Sequence, residues 1–303
     1  MKILIIGLGS IGKRHVKIIK ELKINSQLYA LRSSRTNDSI EYVKNLYTWE
    51  EVKCHNFTFA IISSPSALHF EHIKNLSKFN VPIFVEKPLC ISKDQLRELN
   101  KKNFNSLIYV ALNMRFHPLI AYLKEFLNSS NYKINEVNVY HGSYLPDWRL
   151  TNHAEVYSSI EELGGGVHLD LIHEPDYLFY LFGLPNKVYK NKRRVSGITL
   201  DSVDFANYIF EYQEFSALIT LNYFRRDKKR FMEIITEKNS LEVDFIKGTI
   251  IDLKNNQLIR KLDGDLMAIS YKKQMEYWFT SIEQNKVKIN NLSESKMLLE
   301  TVL

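Results

Sequence analysis

Lys2-Ile3-Leu4-Ile5-Ile6-Gly7-Leu8-Gly9-Ser10-Ile11-Gly12 opens the chain after its first methionine, and its reading decides how the rest is understood. The aliphatic run predicts a buried strand. The glycines that follow are spaced G-x-G-x-x-G ahead of an amphipathic stretch over residues 11–23, which predicts a helix. In such a strand-turn-helix the first glycine allows the tight turn, and the second lets backbone approach a pyrophosphate. The third lets helix and strand pack closely, with the phosphates on the helix N-terminus. The motif therefore predicts a dinucleotide site built from Gly7, Gly9, Ser10, Ile11 and Gly12, against the alternative of a chance glycine turn.

Working outward, strand-like runs at 27–31, 57–63, 83–85 and 107–111 alternate with helical patterns at 70–79 and 92–100, the last opened by a Ser92/Gln95 capping box. That alternation predicts right-handed βαβ units and a parallel sheet. After about Pro118 the rhythm changes. A helix over 119–127 precedes runs at 203–212, 216–224, 231–236, 241–245 and 249–253 that read as an antiparallel meander, and a closing helix is expected over 268–285. The expected architecture is α/β. An N-terminal Rossmann domain with a doubly wound parallel sheet spans 1–118, and a C-terminal α+β domain with an open antiparallel sheet spans 119–303.

In two of the later runs both alternating faces are apolar or aromatic. Phe205 and Ile209 oppose Ala206, Tyr208 and Phe210, and Phe215, Ile219 and Leu221 stand with Leu218 and Phe224. One face covers its own helices; the other needs a partner, which a homodimer or homotetramer built sheet against sheet supplies. A sheet covered on both sides by its own chain is the alternative.

The 303 residues are 45% hydrophobic and 25% charged, the composition of a folded globule rather than a disordered chain. Cys54 and Cys90 are too few for a disulfide framework or a zinc site, which points to a reducing cytoplasm and no metal. The N-terminal apolar run breaks at Gly7 and charge returns at Lys13-Arg14-His15, so neither a secretion signal nor a membrane span is expected. Net charge is +7, with 41 basic residues interleaved among 34 acidic ones. The clusters around Lys190 to Arg194 and Arg225 to Arg230 read as solvated loops, since no nucleic-acid module accompanies them.

The second strand bears on the choice of cofactor, because an acid about 20 residues past the glycine motif holds the ribose 2′-hydroxyl of NAD. Here the chain reads Tyr29-Ala30-Leu31-Arg32-Ser33-Ser34-Arg35. Arg32, Ser33, Ser34 and Arg35 suit a 2′-phosphate instead, so NADP is expected, with NAD and a merely polar loop as alternatives. Further on, Glu86-Lys87-Pro88 follows the strand at 83–85, where ligands of doubly wound sheets bind. A lysine there can hydrogen-bond a substrate oxygen and stabilise charge as hydride moves.

With these pieces in hand the sequence resembles the Gfo/Idh/MocA family of nicotinamide-dependent oxidoreductases. The resemblance rests on the glycine motif, Ser64-Pro65 with His69, Glu86-Lys87-Pro88, Asn113-Met114-Arg115-Phe116-His117-Pro118, and Gly164-Gly165-Gly166 followed by Asp170 and His173. It implies a Rossmann domain plus an α+β domain, acting on carbohydrate-like or cyclic polyol substrates. It also places Ser64, Pro65, His69 and Glu86 with the cofactor and Asn113 and Arg115 with the substrate. Lys87 and Asp170 are implied as substrate contacts, and His173 as the acid/base.

The chemistry agrees with that assignment. Oxidising a secondary alcohol requires a base for the hydroxyl proton, and histidine titrates near neutrality. On one helix Asp170 and His173 share a face at i,i+3, and Asp170 and Glu174 at i,i+4. Two departures matter: the family more often spaces Asp and His four apart, the gap of three resembling a subgroup reading Asp-x-x-His-Glu, and Pro175 is awkward inside a helix. Glu174 thereby becomes a further substrate-binding candidate, and Pro175 suggests a fresh turn leading through Asp176. The stretch Gly142 to Arg149, continuing to Tyr157, offers Tyr144, Asp147, Trp148, Arg149 and Tyr157 for ligand contact, against the alternative of an aromatic-anchored surface loop. No tyrosine has a lysine four residues on, and neither HExxH nor GxSxG occurs. The expected function is hydride transfer between a nicotinamide cofactor and a secondary alcohol or ketone of a sugar derivative. A non-catalytic dinucleotide sensor of the same fold is the alternative.

Overall fold

The computed structural model describes residues 1–35, 40–129, 132–148 and 156–303. Internal contacts divide the chain into two units: Met1–Leu112 with Tyr271–Thr301 and Leu303, and Asn113–Ser270 with Val302. The C-terminal residues Tyr271–Thr301 thus group with the N-terminal sheet.

In the first unit β1 (Lys2–Ile6) leads into α1 (Ser10–Glu21), followed by β2 (Gln27–Leu31), β3 (Val43–Leu46), α2 (Trp49–Lys53) and β4 (Phe59–Ile62). Next come α3 (His69–Ser77), β5 (Ile83–Val85), α4 (Lys93–Lys101) and β6 (Ile108–Val110). All strand pairs are parallel, in the order β3-β2-β1-β4-β5-β6, and the reversal falls between β1 and β4. Strands buried on both faces are uniformly apolar, and Ile3, Leu4, Ile5, Phe59, Ala60, Ile61 and Ile62 are fully buried. The Ser92 hydroxyl accepts from the Gln95 N–H as expected, while the Gln95 side chain reaches back to Ile91.

The second unit holds α5 (Pro118–Ser129), β7 (Ile134–Tyr144), α6 (Val167–Asp170), α7 (His173–Phe182), β8 (Lys187–Arg193), β9 (Phe205–Glu211), β10 (Ser216–Asn222) and β11 (Phe224–Thr236). After them run β12 (Ser240–Asp244), β13 (Thr249–Asp252) and β14 (Gln257–Lys261). Helix α8 (Leu266–Glu283) begins in this unit and continues into the first, to which α9 (Leu292–Val302) also belongs except at Val302. Trp278 of α8 lies against Phe59, Phe84 and Tyr109 of the parallel sheet.

Three expectations need correction here. The second sheet is mixed rather than antiparallel: its order is β14-β13-β12-β11-β7-β10-β9-β8, and β7 and β10 run parallel. The basic cluster Lys190 to Arg193 is not a loop but the end of edge strand β8, where lysines discourage pairing with another chain. The second cluster starts β11. There Arg225 to Lys228 form a bulge, because Phe224 pairs with Tyr144 while Lys229 already pairs with Gly142. Inner-face residues Tyr208, Phe210, Ile219, Leu221, Met232 and Ile234 are buried. On the outer face Tyr189, Ile209 and Leu218 stand in register across three strands and are each about two-fifths exposed.

Candidate active site

At the head of α1 the three glycines do different jobs. Gly7 has φ +89°, and a Cβ there would stand 2.7 Å from the Ser64 backbone. A Cβ on Gly12 would lie 2.3 Å from the Gly7 carbonyl oxygen, which also accepts from the Ser63 hydroxyl at 2.7 Å. Gly9 caps α1 with φ −75° and would meet nothing within 4 Å. Two glycines are thus required by the protein's own packing. The third borders open space at a helix N-terminus, where the partial positive charge favours an anion. These residues fit a dinucleotide pyrophosphate. Ser10 is exposed and Ile11 half-buried beside them; at the end of β2, Arg32 is half-buried, and Ser33, Ser34 and Arg35 are exposed. The Arg35 guanidinium lies 5.1 Å from the centre of the Tyr47 ring.

Behind the cradle the motif residues brace one another. Buried His69 has one ring nitrogen 2.9 Å from the Ser64 carbonyl and the other 2.7 Å from the Pro88 carbonyl, and burial pushes its pKa down. Glu86 is 2.7 Å from Nε2 of His15, a fully buried residue of α1. His69 and Glu86 were expected beside the cofactor; both are instead turned into the protein, tying the Ser64 turn and α1 to the Lys87-Pro88 turn. Ser64 is paired through its hydroxyl with His72 at 3.0 Å, Pro65 is exposed, and Lys87 is half-buried.

In the second unit Asp170 is buried, and its Oδ2 accepts from the Tyr223 hydroxyl at 2.6 Å. Burial and the adjacent carboxylate hold the Tyr223 phenol well above its usual pKa, so it remains a donor. Trp148 meets the Tyr223 ring edge-on at 5.3 Å, anchors its indole N–H to Ser143 Oγ at 3.0 Å, and leaves about two-fifths of its surface open. Tyr157, half-buried, interacts electrostatically with Tyr223. The Gly164 to Gly166 run makes this corner possible. A Cβ on Gly165 would lie 2.4 Å from the Tyr157 carbonyl oxygen, and Gly166 with φ +123° sits against the His168 ring. Tyr223 gave no signal in the sequence, because it follows directly on the apolar strand β10.

Asp170 and His173 do not share one helix. Asp170 ends α6, Leu171 and Ile172 turn the chain, and half-buried His173 begins α7. Pro175 then falls in the first turn of the new helix, where its missing N–H costs nothing. Glu174 is corrected as well. It is fully buried, and its Oε1 accepts from Arg230 Nε at 2.7 Å and lies 2.8 Å from His141 Nδ1, so it is not presented to a substrate. Arg115 likewise turns inward, binding Asp176 with Nε and Nη2 at 3.0 and 2.7 Å. Asn113 is buried and donates to Ser270 Oγ at 2.9 Å. Tyr144, half-buried, accepts from Arg226 at 3.1 Å; Asp147 is exposed; Arg149 lies outside the described residues.

Residues 1–103 match the model of an oxidoreductase family with an NAD-binding Rossmann fold, Gfo/Idh/MocA. Over its first third the chain is thus similar to the Gfo/Idh/MocA oxidoreductases. YrbE, an uncharacterized oxidoreductase of Bacillus subtilis, is 28% identical over 191 residues, covering 59% of this chain and 53% of its own. The 2,7-anhydro-N-acetylneuraminate hydratase of Mediterraneibacter gnavus is 25% identical over 196 residues, covering 61% and 50%. The chain spans about half the length of the curated relatives it matches. Among solved structures, UDP-N-acetylglucosamine 3-dehydrogenase GnnA from Acidithiobacillus ferrooxidans shares the fold with a TM-score of 0.76 and 17% identity, over 100% of this chain and 95% of that one. Among the described residues no helix is long and apolar enough to cross a membrane.

Proposed function

We propose that this protein is a nicotinamide-dependent dehydrogenase or reductase of a sugar derivative, of the Gfo/Idh/MocA type. The observation that carries the reading is the corner of the second unit, where a half-buried histidine heads α7 and the preceding helix ends in a carboxylate locked by a buried phenol. A bound nicotinamide accepts or returns hydride. His173 takes the hydroxyl proton in oxidation and returns it in reduction, Lys87 stabilises charge on the reacting oxygen, and Asp170 orients a second hydroxyl or His173. The open indole of Trp148 and the ring of Tyr157 offer apolar cover for a sugar ring. Lys87→Ala and His173→Ala are each expected to lose about 10²-fold in turnover while keeping cofactor affinity. Unchanged turnover in both refutes the assignment. Tight cofactor binding with no turnover of any sugar in a broad panel favours the sensor instead.

Exposed Arg35 and half-buried Arg32, flanking Ser33 and Ser34, support NADP(H), with NAD(H) the alternative in a domain whose family model is NAD-binding. The comparison of NADPH and NADH affinity in Arg32→Ala/Arg35→Ala tests that preference. The names of two similar proteins, one acting on an anhydro-N-acetylneuraminate and one on a UDP-linked amino sugar, support an amino sugar, nucleotide sugar or sialic-acid-like acid as the substrate class to try first. The exposed Tyr189-Ile209-Leu218 row supports a homodimer or homotetramer through the outer face of the second sheet, which light scattering checks.

A further inference from the structure

Two buried carboxylates sit in the first turn of α7, immediately after the residue assigned as the base. Glu174 is tied to β7 through His141 and to β11 through Arg230, and Asp176 is tied to Nε and Nη2 of Arg115 in the turn before α5. Both carboxylates are fully buried. Ion pairs buried this deeply contribute little net stability, because desolvating the charges offsets their attraction. They do fix geometry: three separate elements grip one helical turn, and that turn carries His173.

Glu174 also differs from Asp176 in its charge balance. Only Oε1 of Glu174 is bonded, to both partners; Oε2 is buried and has no partner among the described residues, nor has Nη2 of Arg230. Although burial opposes ionisation, Arg230 and His141 hold the Glu174 carboxyl down to about 2, and attraction to His173 acts in the same direction. The attraction is mutual, so the negative charge of Glu174 acts on the neighbouring His173. His141 is itself driven toward the neutral form by burial. Further charged and titratable groups at this corner, among the described residues, are Lys228 from β11, His117 ahead of α5 and Tyr177 of α7, with Asp170 ending the preceding α6.

We propose that Glu174, clamped by Arg230 and His141, is a positioning residue that fixes the place of His173 and supplies the negative charge beside it. The proposal rests on His173 being the base, and the experiment separates the two ideas. Glu174→Gln preserves shape and leaves the Arg230 cation unbalanced. The acid limb of its kcat/KM profile in the oxidative direction is expected to move down by roughly one pH unit. Glu174→Gln/Arg230→Met removes both charges, leaves no unpaired buried ion, and is expected to return most of that shift. Turnover stays about tenfold low in both variants because the tether is gone, while KM changes little. Circular dichroism and cofactor titration establish that each variant folds. A Glu174→Gln profile superimposing on the native one, or identical shifts in the single and double variants, overturns the proposal while leaving the base intact. Undiminished turnover in His173→Ala overturns the base assignment and this role with it.

Discussion

Gly9→Ala is the sharpest test of the dinucleotide cradle, because the structure separates it from its two neighbours in the motif. Gly9 has φ −75° and ψ −164°, which alanine adopts freely, and its added methyl meets no atom within 4 Å. Alanine caps a helix less well than glycine, by some tenths of a kcal/mol, but restricting the unfolded chain offsets a similar amount. Folding stability should therefore change by less than about 0.5 kcal/mol. A pyrophosphate in the cradle would meet that methyl, and an overlap of this kind costs about 1–3 kcal/mol, or roughly 5- to 150-fold in Kd. Gly12→Ala behaves differently. Its Cβ would be 2.3 Å from one backbone oxygen and 3.0 Å from Ser63 Oγ, so the turn must move and both melting temperature and affinity should fall. NADPH and NADH fluorescence titrations with thermal melts of both variants give the comparison. Native-like affinity in a correctly folded Gly9→Ala protein would refute the placement of the phosphates at this turn.

Three further outcomes follow from buried charges and bonds. Asp176→Asn leaves Arg115 buried without its counter-ion and should cost about 3–5 kcal/mol in chemical denaturation, most of which Arg115→Met/Asp176→Leu should recover. The Glu174 carboxyl titrates at about 2 in the folded chain, below its unfolded value, so its contribution is complete above about pH 4.5 and is lost as pH falls toward 2. That loss is on the order of 3 kcal/mol, and acid unfolding should be shallower in Glu174→Gln over this window. Tyr223→Phe removes a buried donor to the Asp170 carboxylate and should lower stability by about 1.5–3 kcal/mol, with a fall in turnover larger than any change in cofactor affinity. Stability and kinetics both unchanged would count against Tyr223 as the anchor of Asp170.

What the sequence disclosed follows from how each element is buried. The parallel strands are apolar on both faces, so Lys2–Ile6 and Phe59–Ile62 announce themselves, and the glycine spacing marks the turn between strand and helix. Edge strand β3 reads Val-Lys-Asn-Leu and gives no such signal. Strand β7 is hidden for another reason: its inward positions change from Val137 and Val139 to His141 and Ser143 along the strand, so the apolar alternation fails in its second half. The parallel β7–β10 pairing joins segments about eighty residues apart, which no local pattern encodes. For the proposed site, Lys87, Asp170 and His173 can be picked out by motif, whereas the orientation of the side chains around them cannot. Glu174 and Arg115 look like substrate ligands on paper, and only their long-range partners, Arg230 and Asp176, turn them inward.

The first turn of α7 breaks several local rules at once. It begins with a half-buried histidine, holds a proline at its third position, and buries two carboxylates whose partners come from other elements. Each departure has a physical licence. The proline's absent N–H falls where a helix has no acceptor for one, and anions are favoured near the positive end of the helix. The arginines keep the buried charge balanced, Arg115 through Nε and Nη2 and Arg230 through Nε. A chain under selection for stability alone would place apolar residues there, since well-packed substitutes for buried ion pairs are often as stable or more so. Local rules are broken most where a site needs geometry that packing cannot supply. By that reasoning the density of exceptions between His173 and Asp176 supports the proposed placement of the base without appeal to any motif. It also implies that the apolar replacement Arg115→Met/Asp176→Leu, even where it restores stability, should leave His173 less well oriented and turnover reduced.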